Sequence, residues 1–160
     1  MKAAIVMGSK SDYPIVQKAE NLLKEFGVEC ETRIISAHRT PAAAAEFAAG
    51  AEEKGIEVII AAAGMAAHLA GVLAAFTTLP VIGIPMKSDA LSGLDALLSM
   101  VQMPKGVPVA VVAINGAENA ALLAVQILSL KYPQLGEEMK KYKKKMEETI
   151  TALDKEMLQS

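Results

Sequence analysis

The sequence predicts an α/β fold: a three-layer sandwich around a five-stranded parallel sheet, with a long C-terminal helix. Three observations predict it. Short, continuously apolar runs recur along the chain, each followed by a stretch with helical spacing. Gly or Pro stands at most of the joints between them. Hydrophobic residues make up 52% of the chain but aromatics only 4%, so the interior must be packed from Ala, Val, Ile, Leu and Met.

The first run, Ala3 to Met7, is apolar at every position, as a strand covered on both faces requires. Gly8-Ser9-Lys10-Ser11-Asp12 interrupts it. A helix follows, with Pro14 tolerated in its first turn and Val16, Ala19, Leu22, Leu23 and Phe26 on one face. Gly27 supplies a left-handed stop. A strand from Glu29 to Ile35, a turn Ser36 to Arg39 and a helix from Pro41 to Lys54 come next, with Thr40 as its cap and Gly55 as its end. The pattern repeats with strand Glu57 to Ala62, helix Ala66 to Ala75, strand Val81 to Ile84 and loop Pro85 to Ser92. It closes with helix Gly93 to Val101, strand Pro108 to Ala113 and helix Ala117 to Leu130. Five such units are too few for an eight-stranded barrel and match a flavodoxin-like sandwich in size. No repeat or linker divides the chain, and 160 residues suit a single domain.

The tail differs. Leu135, Met139, Tyr142, Met146, Ile150, Leu153 and Met157 recur at spacings of three and four, making one apolar stripe on a long helix. The sheet already has helices for both faces, so residues 1–131 are expected to form the core and residues 132–160 a helix packed on a neighbouring subunit. Lys140, Lys141, Lys143, Lys144 and Lys145 alternate with Glu137, Glu138, Glu147 and Glu148. That mixture reads as a solvated face, with membrane-surface or RNA contact as the less favoured alternative.

Charge and cysteine narrow the function. Sixteen Lys and Arg against eighteen Asp and Glu leave −2, which argues against a global nucleic-acid binder. The single Cys30 excludes an intrachain disulfide and a Cys-rich zinc site, and a reduced, cytoplasmic setting is expected. Met1-Lys2-Ala3 opens on a strand rather than a signal-peptide layout. The uncharged stretch Val58 to Met86 is long enough to span a bilayer, but Gly64, His68, Gly71, Pro80, Gly83 and Pro85 punctuate it, and no membrane partner is expected.

In a parallel sheet the strand-to-helix turns emerge on one edge, where ligands bind. That rule places Gly8 to Asp12, Ser36 to Arg39, Gly64 to His68 and Pro85 to Ser92 around one rim. Gly8 to Asp12 offers backbone N–H groups and hydroxyls that suit a phosphate, with Asp12 able to accept from ribose hydroxyls. It matches neither a dinucleotide nor a P-loop pattern, and capping by Ser11 or Asp12 explains it equally well. His38 can carry a proton near neutral pH and Arg39 can fork onto phosphate, against the plainer alternative of a structural His beside a surface Arg. His68 alone reads as a buried, hydrogen-bonded His. Cys30 and the nine Met read as packing.

Met7-Gly8-Ser9-Lys10-Ser11-Asp12, Ser36-Ala37-His38-Arg39-Thr40-Pro41, Ala66-Ala67-His68-Leu69, Leu91-Ser92-Gly93-Leu94-Asp95, Val101-Gln102-Met103-Pro104 and Asn119 to Ala124 together resemble the class I N5-carboxyaminoimidazole ribonucleotide mutases of purine biosynthesis. The resemblance runs in order from about residue 3 to residue 130. The related class II enzymes, which carboxylate aminoimidazole ribonucleotide with CO2 directly, typically carry Lys after the first His and lack the Ala-His-Leu segment, so Arg39 and His68 favour the mutase. Two positions depart from the pattern: Met65 stands where the family commonly has Gly, and Ala70 where it has Pro. Both alter the pocket wall while both His and Gly71 remain.

The resemblance implies a homo-octamer with sites near subunit boundaries, a small-molecule ribonucleotide substrate, and no metal or organic cofactor. It implies that Ser9, Ser11 and Arg39 hold the phosphate and Asp12 the ribose. Ser36, Ala37, Gly64, Ala66, Ala67 and Leu69 would line the imidazole and carboxylate pocket. His38 would be the general acid and base, with His68 assisting. A non-catalytic ribonucleotide-binding module on the same scaffold is the competing reading.

Overall fold

A computed structural model describes residues 1–159. Five strands form one parallel sheet in the order β2-β1-β3-β4-β5, namely β1 (Lys2–Met7), β2 (Glu29–Ile34), β3 (Val58–Gly64), β4 (Val81–Met86) and β5 (Ala110–Val111). The helices are α1 (Tyr13–Glu25), α2 (Pro41–Ala49), α3 (Leu69–Ala75), α4 (Leu94–Val101), α5 (Ala117–Ser129) and α6 (Pro133–Gln159). The fold is the flavodoxin-like α/β sandwich, with the long C-terminal helix attached.

Alternation along the strands builds two cores. Ala3, Ile5 and Met7 of β1 join Val58, Ile60 and Ala62 of β3 against α1 and α5. Ala4 and Val6 join Ile59, Ala61 and Ala63 against α2, α3 and α4. All of these side chains are buried, which explains why the strands read as unbroken apolar runs. The small residues permit close layers: a Cβ on Gly83 would stand 3.0 Å from Met100 Sδ of α4.

Several boundaries differ from expectation. Helix α2 stops at Ala49 rather than Lys54, and Gly50 to Gly55 turn back toward β3. Helix α3 begins at Leu69 rather than Ala66, because Gly64 to Ala67 form a turn closed by Ala67 N–H to Gly64 O at 3.2 Å. Strand β4 runs on to Met86. Strand β5 shrinks to two residues, since Pro108 has no N–H to donate and the chain turns at Asn115, whose φ is +57°.

The C-terminal stripe is divided. Leu135 and Met139 of α6 are buried in the α1/α5 layer, and Tyr142 sets its ring 5.7 Å from that of Phe26. Farther along, Met146, Ile150, Leu153 and Met157 are exposed. Half the stripe therefore belongs to the subunit's own core. Among the described residues no helix is long and apolar enough to cross a membrane.

Candidate active site

The strand order reverses between β2-β1 and β1-β3, and the turns leaving β1, β2 and β3 converge on the cleft this reversal opens. A cavity of about 590 Å³ lies there, completed by Met86, Lys87 and Ser88 at the end of β4.

The turn after β1 is held from within. Ser9 Oγ accepts from Ser11 N–H at 3.3 Å and from Ser11 Oγ–H at 2.8 Å, which leaves the Ser9 hydroxyl proton to point elsewhere. Asp12 occupies the position before α1 but its side chain caps nothing. Capping by Ser11 or Asp12 is therefore not what the turn shows: the capping side chain is Ser9, on the short 3₁₀ turn Lys10–Asp12, with Ser11 as the donor to it. Burial pushes the half-buried Asp12 carboxyl above its ordinary range, and hydrogen bonds from the Ser9 backbone and the Ser11 side chain partly offset the rise.

The turn after β2 is cross-braced. Thr40 Oγ1 accepts from Ser36 N–H at 3.0 Å and donates to Ser36 O at 2.9 Å, so it locks the turn instead of capping α2 as expected. Ser36 Oγ accepts from the Arg39 backbone N–H at 3.2 Å. Arg39 Nη2 then reaches across to donate to Gly8 O at 2.8 Å, tying this turn to the one after β1. One edge of the guanidinium is used by protein; Nη1 has no acceptor among the described residues.

The two histidines differ in restraint. His68 stands just before α3, and its Nδ1 lies 3.1 Å from Ser99 O of α4. A carbonyl can only accept, so Nδ1 carries the proton and Nε2 is the basic nitrogen of the neutral ring. The ring also lies over Gly71, where a Cβ would stand 2.7 Å from His68 Cε1. That contact explains the need for Gly at position 71. His38, exposed at the cavity wall, has no hydrogen-bond partner among the described residues. A structural, satisfied His is not what this turn contains.

Every residue expected at the site lines this one cavity: Ser9, Ser11, Asp12, Ser36, Ala37, His38, Arg39, Gly64, Ala66, Ala67, His68 and Leu69. Met65, expected in the pocket wall, lines it too; Ala63, Met86, Lys87 and Ser88 were not expected individually, although the loop after β4 was placed on the rim. Lys87 is oriented through its backbone N–H, which donates to Asn115 Oδ1 at 2.9 Å. Cys30 lies elsewhere, in β2; burial pushes its thiol up to about 11, with Thr32 Oγ1 at 3.8 Å, so it is protonated and packed at neutral pH.

A flavodoxin-like sheet with a hydroxyl-rich turn, an anchored Arg and two imidazoles at its switch point defines a class: an α/β protein built to hold a small anionic ligand beside a proton carrier. The family model described as AIR carboxylase matches residues 2–149, and the chain belongs to that family. N5-carboxyaminoimidazole ribonucleotide mutase of Pyrococcus abyssi is 61% identical over 145 residues, covering 91% of this chain and 83% of that protein. The protein of the same name from Thermotoga maritima is 54% identical over 149 residues, 93% of this chain and 87% of its own length. The crystal structure of Treponema denticola PurE superposes with a TM-score of 0.86 at 32% identity, over 97% of each chain.

Proposed function

We propose that the chain interconverts N5-carboxyaminoimidazole ribonucleotide and 4-carboxy-5-aminoimidazole ribonucleotide, an isomerase (mutase) step of de novo purine (IMP) biosynthesis. What carries the reading is that both histidines open on one cavity together with Arg39 and the Gly8 to Asp12 turn. The names of the relatives at 61% and 54% identity support it.

The phosphate docks on the Ser9 and Ser11 hydroxyls and the open side of the Arg39 guanidinium, where charge-assisted bonds are strongest. Asp12, acceptor-only when ionised, takes the ribose hydroxyls. The ring and its carboxylate lie along Ser36, Ala37, Gly64, Ala66, Ala67 and Leu69. The N-carboxylate bond then breaks, its electron pair returning to the exocyclic nitrogen, which takes up a proton. Carbon 4 of the enamine-like ring attacks the enclosed CO2 and loses its own proton. One proton is given and one recovered, so a single imidazole at His38 closes the cycle, and His68 assists from its fixed orientation. One carboxyl group and one proton move within the same substrate; no redox partner or activating cofactor is called for.

The experiment is a paired assay. Purified protein is given N5-carboxyaminoimidazole ribonucleotide alone, or aminoimidazole ribonucleotide with bicarbonate. Turnover of the first supports the mutase; preference for the second selects a direct carboxylase, and binding without turnover of either selects a non-catalytic module. His38→Asn should still bind ribonucleotide while kcat falls about 10²–10⁴-fold. Near-normal turnover in that variant removes His38 from the role.

The reading extends to assembly as a cytoplasmic homo-octamer with the distal half of α6 packed on a neighbouring subunit. Leu94, Leu98 and Val101 of α4 are exposed on the single chain, as is the distal half of α6, and both support self-association. A stable monomer by light scattering overturns that part.

A further inference from the structure

We propose that Asp95 is a positioning residue for His68: its carboxylate, held by Ser88, sets where α4 presents the carbonyl that orients the His68 ring. The proposal rests on the mutase reading and deepens it.

Helix α4 has little else to fix its rotation. Of its eight residues only Ala96 and Met100 are buried, while Leu94, Leu98 and Val101 are exposed. Two buried side chains one turn apart define a line of contact but not an angle about it. Asp95 and Ser99, a second pair one turn apart, supply the angle. Ser88 Oγ stands 3.4 Å from each carboxylate oxygen of Asp95, so its proton is shared between them. One turn on, Ser99 Oγ–H donates to the Asp95 carbonyl at 2.8 Å. The carbonyl of Ser99 itself is among the last of a helix that ends at Val101, and no backbone N–H answers it among the described residues. Its partner is His68 Nδ1, at 3.1 Å.

This run of contacts begins and ends on the cavity wall, since Ser88 and His68 both line it. Its starting point is firm. The neighbouring Lys87 gives its backbone N–H to Asn115, and a Cβ on Gly93, just before α4, would stand 3.2 Å from Lys87 Cα. The Asp95 carboxylate is not taken up by an ion pair, for no Lys or Arg meets it among the described residues. Asp95 closes the Leu91 to Asp95 segment, which the phosphate and ring contacts leave without a part. If the carboxylate lets go of Ser88, α4 can turn and carry the Ser99 carbonyl off Nδ1. The imidazole is then free to exchange its tautomer and lose its orientation.

A carboxylate in a first helical turn also favours the helix through its charge alone, and three substitutions separate the two roles. Asp95→Asn keeps the shape and an oxygen for Ser88. Asp95→Glu keeps the charge but carries it one methylene past Ser88. Asp95→Ala removes both. Asp95→Glu and Asp95→Ala should each lower kcat about tenfold with KM within about twofold, and Asp95→Asn should keep kcat within about twofold of wild type. The second reading is nitrogen NMR of the neutral imidazole, taken without substrate in untagged His38→Asn protein, where His68 is the one His left. With Asp95 present the ring should be a single Nδ1–H tautomer; with Glu or Ala there it should become a mixture. Ser88→Ala removes the anchor without altering α4 and should give the same mixture, which keeps the test open if an Asp95 variant fails to fold. An Asp95→Glu variant that matches wild type in both readings overturns the proposal, since charge alone would then suffice. A single Nδ1–H tautomer retained in the Asp95→Ala or the Ser88→Ala variant overturns it too. Wild-type protein that fails to interconvert the two isomers overturns the mutase reading instead, while the tautomer comparison still decides whether Asp95 positions His68.

Discussion

The two edges of the sheet are built on opposite terms. At the edge where the chain enters the strands, left-handed positions are filled by Gly27, Gly55 and Gly106, residues that adopt them without strain. At the edge where the chain leaves the strands, the left-handed positions include Met65, Ser92 and Asn115. The entry edge is also electrostatically closed. Glu57 accepts from Lys131 Nζ at 2.7 Å and Tyr132 OH at 3.0 Å, with the N-terminal ammonium 3.8 Å away. The exit edge instead has an uncapping Asp12, a His38 without a hydrogen-bond partner among the described residues, and a half-engaged Arg39. Stability is concentrated on one side of the sheet, and unmet bonding capacity on the other, where a ligand can use it.

That contrast can be broken at three places. The largest effect is expected from Gly71→Ala. The added methyl meets His68 Cε1 at 2.7 Å and Nε2 at 2.8 Å, and must push the imidazole off Ser99 O. Turnover should fall about 10–100-fold with the fold intact, read as kcat beside an unchanged circular dichroism spectrum. Unchanged kcat would show that the position of His68 is immaterial.

Asp12→Asn should affect binding and stability in opposite directions. Burial raises the Asp12 carboxyl in the folded chain, so its ionisation opposes folding above that pKa and has no effect below the unfolded value. The Asn variant should therefore be more stable at neutral pH and match wild type in acid. Its ribonucleotide affinity should fall about tenfold, measured by calorimetry, with loss of the ribose contacts. A variant that is less stable at pH 7 would place Asp12 among the structural groups.

The smallest effect is expected on the opposite edge. Burial tends to raise the Glu57 carboxyl, but Lys131 and Tyr132 outweigh it and hold it below the usual range. Its stabilisation is present above the unfolded pKa and lost as pH falls through the lower folded value. Glu57→Gln should reduce the thermal midpoint by about 2–4 °C at pH 7, with the difference vanishing only once the pH is below the lowered folded pKa, and activity unchanged. Lost activity with an unchanged midpoint would reverse the roles assigned to the two edges.

The layers and both cores were legible because β1 from Ala3 onward, β3 and β4 carry no polar side chain, which only a doubly covered strand tolerates. The short β5 was not, since Pro108 to Ala113 read as strand while the loss of ladder bonds depends on Pro108 and on the turn at Asn115. The site was legible through one topological rule, that strand-to-helix turns share an edge, and the resemblance supplied which residues on that edge to name. What stayed hidden was conformational. Nothing in Gly64-Met65-Ala66-Ala67 announces a left-handed Met, since the residue type argues against it. Likewise Thr40 before Pro41 has the form of a helix cap, and only the folded turn shows its hydroxyl committed to Ser36. The inward half of the C-terminal stripe was missed because periodicity identifies a face without identifying its neighbour.

The bond from Arg39 to Gly8 has one more consequence. Arg39 follows His38 directly in a turn whose ends are stapled by Ser36 and Thr40, so an anion resting on the guanidinium also sets the distance between the sugar end of a ligand and the imidazole. A nucleoside without its phosphate would lose that gauge along with its anchor, and would react poorly even at concentrations high enough to fill the cleft.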